Sequence, residues 1–125
     1  MSGGAWLAFV VAAGIGAPAR YLVDGRVQSR TEGELPWGTL AVNITGCLVL
    51  GLLTGLGLYH GLGATTRTIV GTGGIGAYTT FSTFTFETVR LAERGAVDAA
   101  VRYTALSIII GLVAASAGIG VMALL

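Results

Sequence analysis

The segment Gly76-Ala77-Tyr78-Thr79-Thr80-Phe81-Ser82-Thr83-Phe84 places five hydroxyl side chains and three aromatic rings inside an uncharged stretch. Hydroxyls can replace the water around a small ion, and ring edges carry the positive part of the aromatic quadrupole. The chemistry of such a cluster in an apolar chain is a polar path. On helical geometry Thr80, Thr83 and Glu87 lie within about 60° of one another, and Phe81 and Phe84 form the neighbouring ridge. A hydroxyl track thus runs beside an aromatic one. Ordinary packing competes with this reading, because Ser and Thr often bond the carbonyl one turn back and two Phe at i and i+3 often simply pack.

The backbone just upstream weighs against simple packing. Gly71-Thr72-Gly73-Gly74-Ile75-Gly76-Ala77 holds four glycines in seven residues and invites the helix to open. Irregular backbone at membrane depth persists only where protein or a lined cavity satisfies its polar groups. Freed carbonyls can ligate a small hard cation, and freed amides can meet an anion. Two other segments add polar groups. At 100° per residue, Thr39, Asn43, Gly46, Leu50 and Thr54 share one stripe, on which Asn43 is the costly member in hydrocarbon. Its amide serves either an interhelical hydrogen bond or a pore. Tyr103 and Ser107, one turn apart, pose the same choice.

The elements that must position these groups follow from charge. Seven basic and six acidic side chains among 125 residues, with a mean hydropathy of +0.82, place the chain in the membrane class. Uncharged runs cover 1–19, 35–66, 68–86 and 103–125. Each can cross roughly 30 Å of hydrocarbon as a helix of about 20 residues. The expected fold is an all-α membrane protein with four transmembrane helices in a single domain, 1–125. The helices are placed at 4–28, 36–59, 66–94 with a break near 76–80, and 97–124. Every charge except Arg67 falls in or near 20–34 and 87–102, the first and third connections. The second connection is short, so neighbouring helices form antiparallel hairpins and both termini share a side. Ala17-Pro18-Ala19 resembles a signal-peptide cleavage site, but Met1-Ser2-Gly3-Gly4 has no basic side chain, and Pro18 reads instead as a helix kink. Twenty-one glycines, including the Gly51/Gly55 pair, suit close helix packing in lipid. Four thin helices enclose little volume, so a C2 dimer is expected.

Other chemistries find no support. Cys47 is alone inside a span, His60 sits in a loop, and no metal-ligand spacing or nucleophile–base pair suggests an enzyme. The net charge of +1 and the lack of a basic cluster give no nucleic-acid partner.

With Gly38-Thr39-Leu40-Ala41-Val42-Asn43, the string Thr79-Thr80-Phe81-Ser82-Thr83-Phe84 followed by Glu87, Arg20, and Tyr103 with Ser107, the chain resembles the Fluc (CrcB) family of fluoride channels over nearly its whole length. The resemblance implies a dual-topology antiparallel homodimer in the cell membrane, with two pores exporting fluoride from the cytoplasm. It implies a structural sodium ion at the dimer centre, held by main-chain carbonyls at Gly76 and Thr79 of both subunits. Asn43, Phe81, Ser82, Thr83, Phe84, Glu87, Tyr103 and Ser107 would line the fluoride path, and Arg20 would sit in an aqueous vestibule. The chain departs from the family in having Gly76-Ala77 where paired glycines are usual. Its basic residues also favour one orientation: Arg20, Arg26, Arg30, Arg90, Arg94 and Arg102 lie toward one face and Arg67 toward the other. A heterodimer with an oppositely oriented homologous subunit is the alternative assembly. The alternative functions are a small proton-coupled multidrug exporter, for which Glu87 is the only acidic candidate, and a non-transporting assembly subunit.

Overall fold

The computed structural model describes residues 1–125, all helical apart from short connections. Three helices are long and apolar enough to cross a membrane: α1 (Gly3–Ser29), α2 (Trp37–Tyr59) and α6 (Val97–Leu124). Between α2 and α6 the chain is helical but interrupted. It runs through α3 (Ala64–Arg67), a π-helical stretch (Thr68–Ile75), α4 (Gly76–Tyr78) and, after a break, α5 (Phe81–Glu93).

Local signals account for the ends. Ser2 caps α1 by accepting from the Ala5 N–H at 3.2 Å. Pro18 lies inside α1, which continues past it to Ser29. After α5, Gly95 takes φ of +84°, a conformation that favours glycine. This lets the Ala96 N–H reach the Leu91 carbonyl at 2.9 Å and the Gly95 N–H reach Ala92 at 3.0 Å, a Schellman closure. The glycine-rich run does not unwind. It widens into the π-helix, with Gly73 against Phe9 of α1 and Gly71 facing Leu50 and Leu53 of α2. Wider turns need small residues where neighbours approach, which explains glycine there.

α2 and α6 pack side by side and parallel, although about forty residues of chain separate them. Cys47 faces Gly111, Gly51 faces Ala115, and Gly55 faces Met122, the two series rising together. Gly118 fits against the backbone of Leu48, Gly51 and Leu52. Gly51 and Gly55 therefore serve packing within the chain. The buried core is small and lies toward the charged end: Leu35, Leu40, Leu91, Ala99, Ala100 and Tyr103, flanked by Trp37, Ile44 and Phe84. Only 18 of 125 residues are buried, and Leu7, Val10, Ile15, Ile109, Leu112 and Val113 point outward. That much exposed apolar surface calls for lipid or a second chain. At the charged end Arg102 bridges Glu34 at 3.7 Å and Asp98 at 3.5 Å, an exposed contact joining the first and third connections.

Gly118→Ala tests the α2–α6 contact, because its new Cβ would lie 2.6 Å from the Leu48 carbonyl oxygen and the Leu52 nitrogen. The expected loss in stability is about 1–3 kcal/mol, read as a lower melting midpoint in detergent. Gly14→Ala, whose Cβ meets nothing within 4 Å, should leave the midpoint in place.

Candidate functional site

The site is built around Thr79 and Thr80, where the backbone is extended between α4 and α5 (ψ of 164° and 121°). An unbroken helix would pair the Thr80 N–H with the Gly76 carbonyl. Here it donates to Asn43 Oδ1 at 2.8 Å, while Asn43 Nδ2 donates to the Thr80 carbonyl at 2.8 Å. One carboxamide on α2 thus takes both backbone groups of one residue. The Thr80 hydroxyl caps α5, accepting from the Thr83 N–H at 3.1 Å and donating to Thr83 Oγ1 at 3.0 Å. On the other side, Arg20 Nη1 of α1 donates to the Thr79 carbonyl at 3.0 Å. Gly46 makes room for the Thr79 methyl. The break is therefore held from α1, α2 and α5 together.

Two cavities meet at this break, and Thr80 lines both. One, of ≈ 220 Å³, has a mixed lining, with the charged Arg20 and Asp24 and the hydroxyls of Thr39, Thr80 and Thr83 set beside Ala17, Tyr21 and Val42. The other, a groove of ≈ 310 Å³, is mainly apolar and is bounded by Asn43, Thr79, Phe81, Phe84, Ser107 and Ile108. The hydroxyl and aromatic tracks read from the sequence thus lie on different sides of α5. Phe81 is 77% exposed and stands at the groove's open side, its centroid 6.0 Å from that of Phe84. Phe84 in turn lies 5.3 Å from Tyr103.

The remaining polar residues divide by partner. Glu87 accepts from Thr39 Oγ1 at 3.0 Å and from the Tyr103 hydroxyl at 2.8 Å, tying α2, α5 and α6. Tyr103 is fully buried, so its hydroxyl faces Glu87 while its ring supports Phe84. Ser107 lines the groove and donates to the Tyr103 carbonyl at 2.7 Å. Ser82 is exposed, with its hydroxyl 3.4 Å from that of Thr80. Asn43 spends one of its two N–H donors on Thr80, so one remains at the groove wall. Cys47, Leu50 and Ile108 also line the groove. Cys47 and Leu50 follow Gly46 on α2 by one residue and by one turn, but their apolar character makes them indistinguishable from packing residues.

The break also frees carbonyls. With Thr80's N–H on Asn43, the Gly76 carbonyl has no helical donor, and Gly76 is exposed. The Thr79 carbonyl accepts Arg20 through one of its two lone pairs. Both are oxygen ligands of the hard type that a sodium ion takes, so the residues fit the ion, with the Arg20 charge opposing it at Thr79.

Asn43→Ala should leave the buried Thr80 N–H and carbonyl without partners, at about 1–3 kcal/mol for each group unmet. Hydrogen exchange over 76–86 should accelerate, whereas Asn43→Asp, which keeps the acceptor, should show a smaller change.

Comparison with known proteins follows this geometry. The family model described as "CrcB-like protein, Camphor Resistance (CrcB)" matches residues 7–119. The chain is 47% identical over 114 residues to "Fluoride-specific ion channel FluC 1" of Streptomyces avermitilis, covering 91% of this chain and 92% of that protein. It is 42% identical over 113 residues to "Fluoride-specific ion channel FluC 2" of Mycobacterium tuberculosis, covering 90% and 86%. It is 45% identical over 101 residues to "Fluoride-specific ion channel FluC" of Acidobacterium capsulatum, covering 80% and 81%. The matched residues contain the break, both cavities and every side chain that holds them, and the chain belongs to the CrcB family.

Proposed function

We propose that this multi-pass membrane protein is a fluoride-selective passive channel that exports fluoride from the cytoplasm. The observation that carries the reading is the groove in which Phe81 and Phe84 face the spare Asn43 N–H and the Ser107 hydroxyl beside the break. Its relatives' names point the same way.

Fluoride is small and strongly hydrated, so it leaves water only for short, strong donors. The spare Asn43 N–H supplies such a donor, the Ser107 hydroxyl can supply another by turning from the Tyr103 carbonyl, and the positive ring edges of Phe81 and Phe84 add weaker stabilisation. The N-terminus of α5 opens at the same place and brings the partial positive charge of a helix end. No full positive charge lines the groove. Arg20 stands instead in the adjoining cavity, where it can concentrate anions without trapping them. Passage along Ser82, Thr83, Glu87 and Tyr103 continues the polar route beyond the rings.

The assembly we propose is a dual-topology antiparallel homodimer with two pores. Each chain would contribute four spans, the third formed by α3 through α5. The exposure of Phe81 supports it, since a groove open on one side needs a second chain to close it. An oppositely oriented homologue would close it equally well. The carbonyls of Gly76 and Thr79 from two subunits would hold a sodium ion, which supplies positive charge that fixes the two breaks together. The proton-coupled exporter reading loses ground because Glu87, its only acidic candidate, has one oxygen tied to Thr39 and the other to Tyr103, so the carboxyl serves as a cross-link between α2, α5 and α6.

Liposomes loaded with fluoride or chloride and reconstituted with the purified chain should release fluoride and retain chloride. No fluoride release would sink the reading, and equal release of both halides would remove selectivity. Phe81→Ile should slow release at least about tenfold, the equivalent of roughly 1.4 kcal/mol of lost ring stabilisation. Because Phe81 is 77% exposed, the melting midpoint should hardly move. Reporter fusions at both termini should appear on both sides of the membrane in equal measure for a homodimer and on one side for a heterodimer partner.

A further inference from the structure

Arg67 is the one charged side chain that the site above leaves unused at the end opposite the two charged connections. All six acidic residues lie within 24–34 and 87–98. Arg67 sits at the start of the interrupted segment, beside the C-terminal part of α2. Its Nε is buried and has no hydrogen-bond partner, and it is in neither of the chain's ion pairs. A buried donor on a permanent cation is costly when unmet. His60, the nearest other titratable side chain in sequence, is occupied by the Met122 carbonyl at 2.8 Å.

The guanidinium is also held in place. A Cβ at Gly57 would come within 2.6 Å of Arg67 Cδ and 2.8 Å of both Nε and Nη1, so the absence of a side chain there makes a notch for the Arg67 stem. The end of α2 supplies partial negative charge, which favours a cation nearby but gives Nε no acceptor. Nη1 and Nη2 also make no hydrogen bond within the chain but, unlike Nε, are not enclosed on this half-buried side chain, so an acceptor from outside the chain can meet them. Trp6 near the start of α1 and Tyr59 at the end of α2 are exposed at this same end, 56% and 55%, the placement of aromatic side chains at the level of lipid headgroups. The anion available at that level is a phosphodiester.

We infer that Arg67, seated in the Gly57 notch, forms a binding site for the phosphate of an anionic membrane lipid. The planar guanidinium presents paired donors that match phosphate oxygens. The exposed apolar side of α2 beside it, with Leu58 outward, accommodates the acyl chains.

The test uses the full chain in neutral detergent, with phosphatidylglycerol titrated and bound lipid counted by native mass spectrometry. Wild type should retain one lipid per chain that Arg67→Gln binds about fivefold more weakly, the roughly 1 kcal/mol that one arginine contributes at an anionic surface. Arg67→Lys should recover part of the affinity. Arg26→Gln, at the opposite end, should leave this lipid bound. Equal retention by wild type and Arg67→Gln overturns the site. Displacement by inorganic phosphate at equal concentration would show a site for free phosphate and overturn the lipid assignment. Separation of dimers into single chains by Arg67→Gln, with lipid still bound, would assign the arginine to a second chain and overturn it too. A second measurement needs no variant: phosphatidylglycerol should raise the wild-type melting midpoint more than phosphatidylcholine does, and an equal rise counts against the inference.

Discussion

Every backbone N–H and C=O inside hydrocarbon must find a partner, and from the Thr79 carbonyl through both backbone groups of Thr80 this chain stops supplying partners from its own helix. Much of the site follows from how those groups are met. Asn43 must stand at its level on α2 to reach both backbone atoms of Thr80, which fixes the register of α2 against the interrupted segment. Arg20 must reach Thr79, which draws α1 to the same level, and Gly16 of α1 has no side chain because Gly74 and Tyr78 lie against it. The Thr80 hydroxyl starts α5 and turns Phe81 outward.

The arrangement keeps two demands apart. A path for an anion wants donors, whereas a stable span wants donors already satisfied. The break answers by using bifunctional groups: a carboxamide with a second N–H, a carbonyl with a second lone pair, and hydroxyls that both donate and accept. At the break strong charge is kept to the cavity of Arg20 and Asp24, and the aromatic groove has none. Glu87 is the nearest carboxylate on α5, and Thr39 and Tyr103 bind its two oxygens.

Much of this was legible in the residues. Charge distribution marks the connections, and the cost of an amide in lipid singles out Asn43, whose stripe with Thr39, Gly46 and Leu50 does face the interrupted helix. The glycine run correctly signals a departure from a regular α-helix, but composition cannot distinguish a widened turn from an open one. The difference lies in the neighbours, Phe9 and Leu50 among them, that press on Gly73 and Gly71. Helical periodicity puts Tyr103 and Ser107 on one face, yet it cannot tell that the tyrosine hydroxyl turns to Glu87 while the serine stays at the groove. Cys47 and Ile108 were silent because nothing in an apolar side chain announces a lining role.

The parallel pairing of α2 with α6 bears on how the protein is made. The glycine notches of α2 at Gly51 and Gly55 are filled by Ala115 and Met122, and Asn43 finds Thr80 only after 37 further residues have been added. A ribosome delivers α2 to the bilayer well before either partner exists. Insertion and folding are thus separate events for this chain: α2 enters as an incomplete helix with an unmet amide, carried by the apolar residues around it, and its contacts close in two stages, Asn43 once Thr80 is made and the glycine notches once α6 is made.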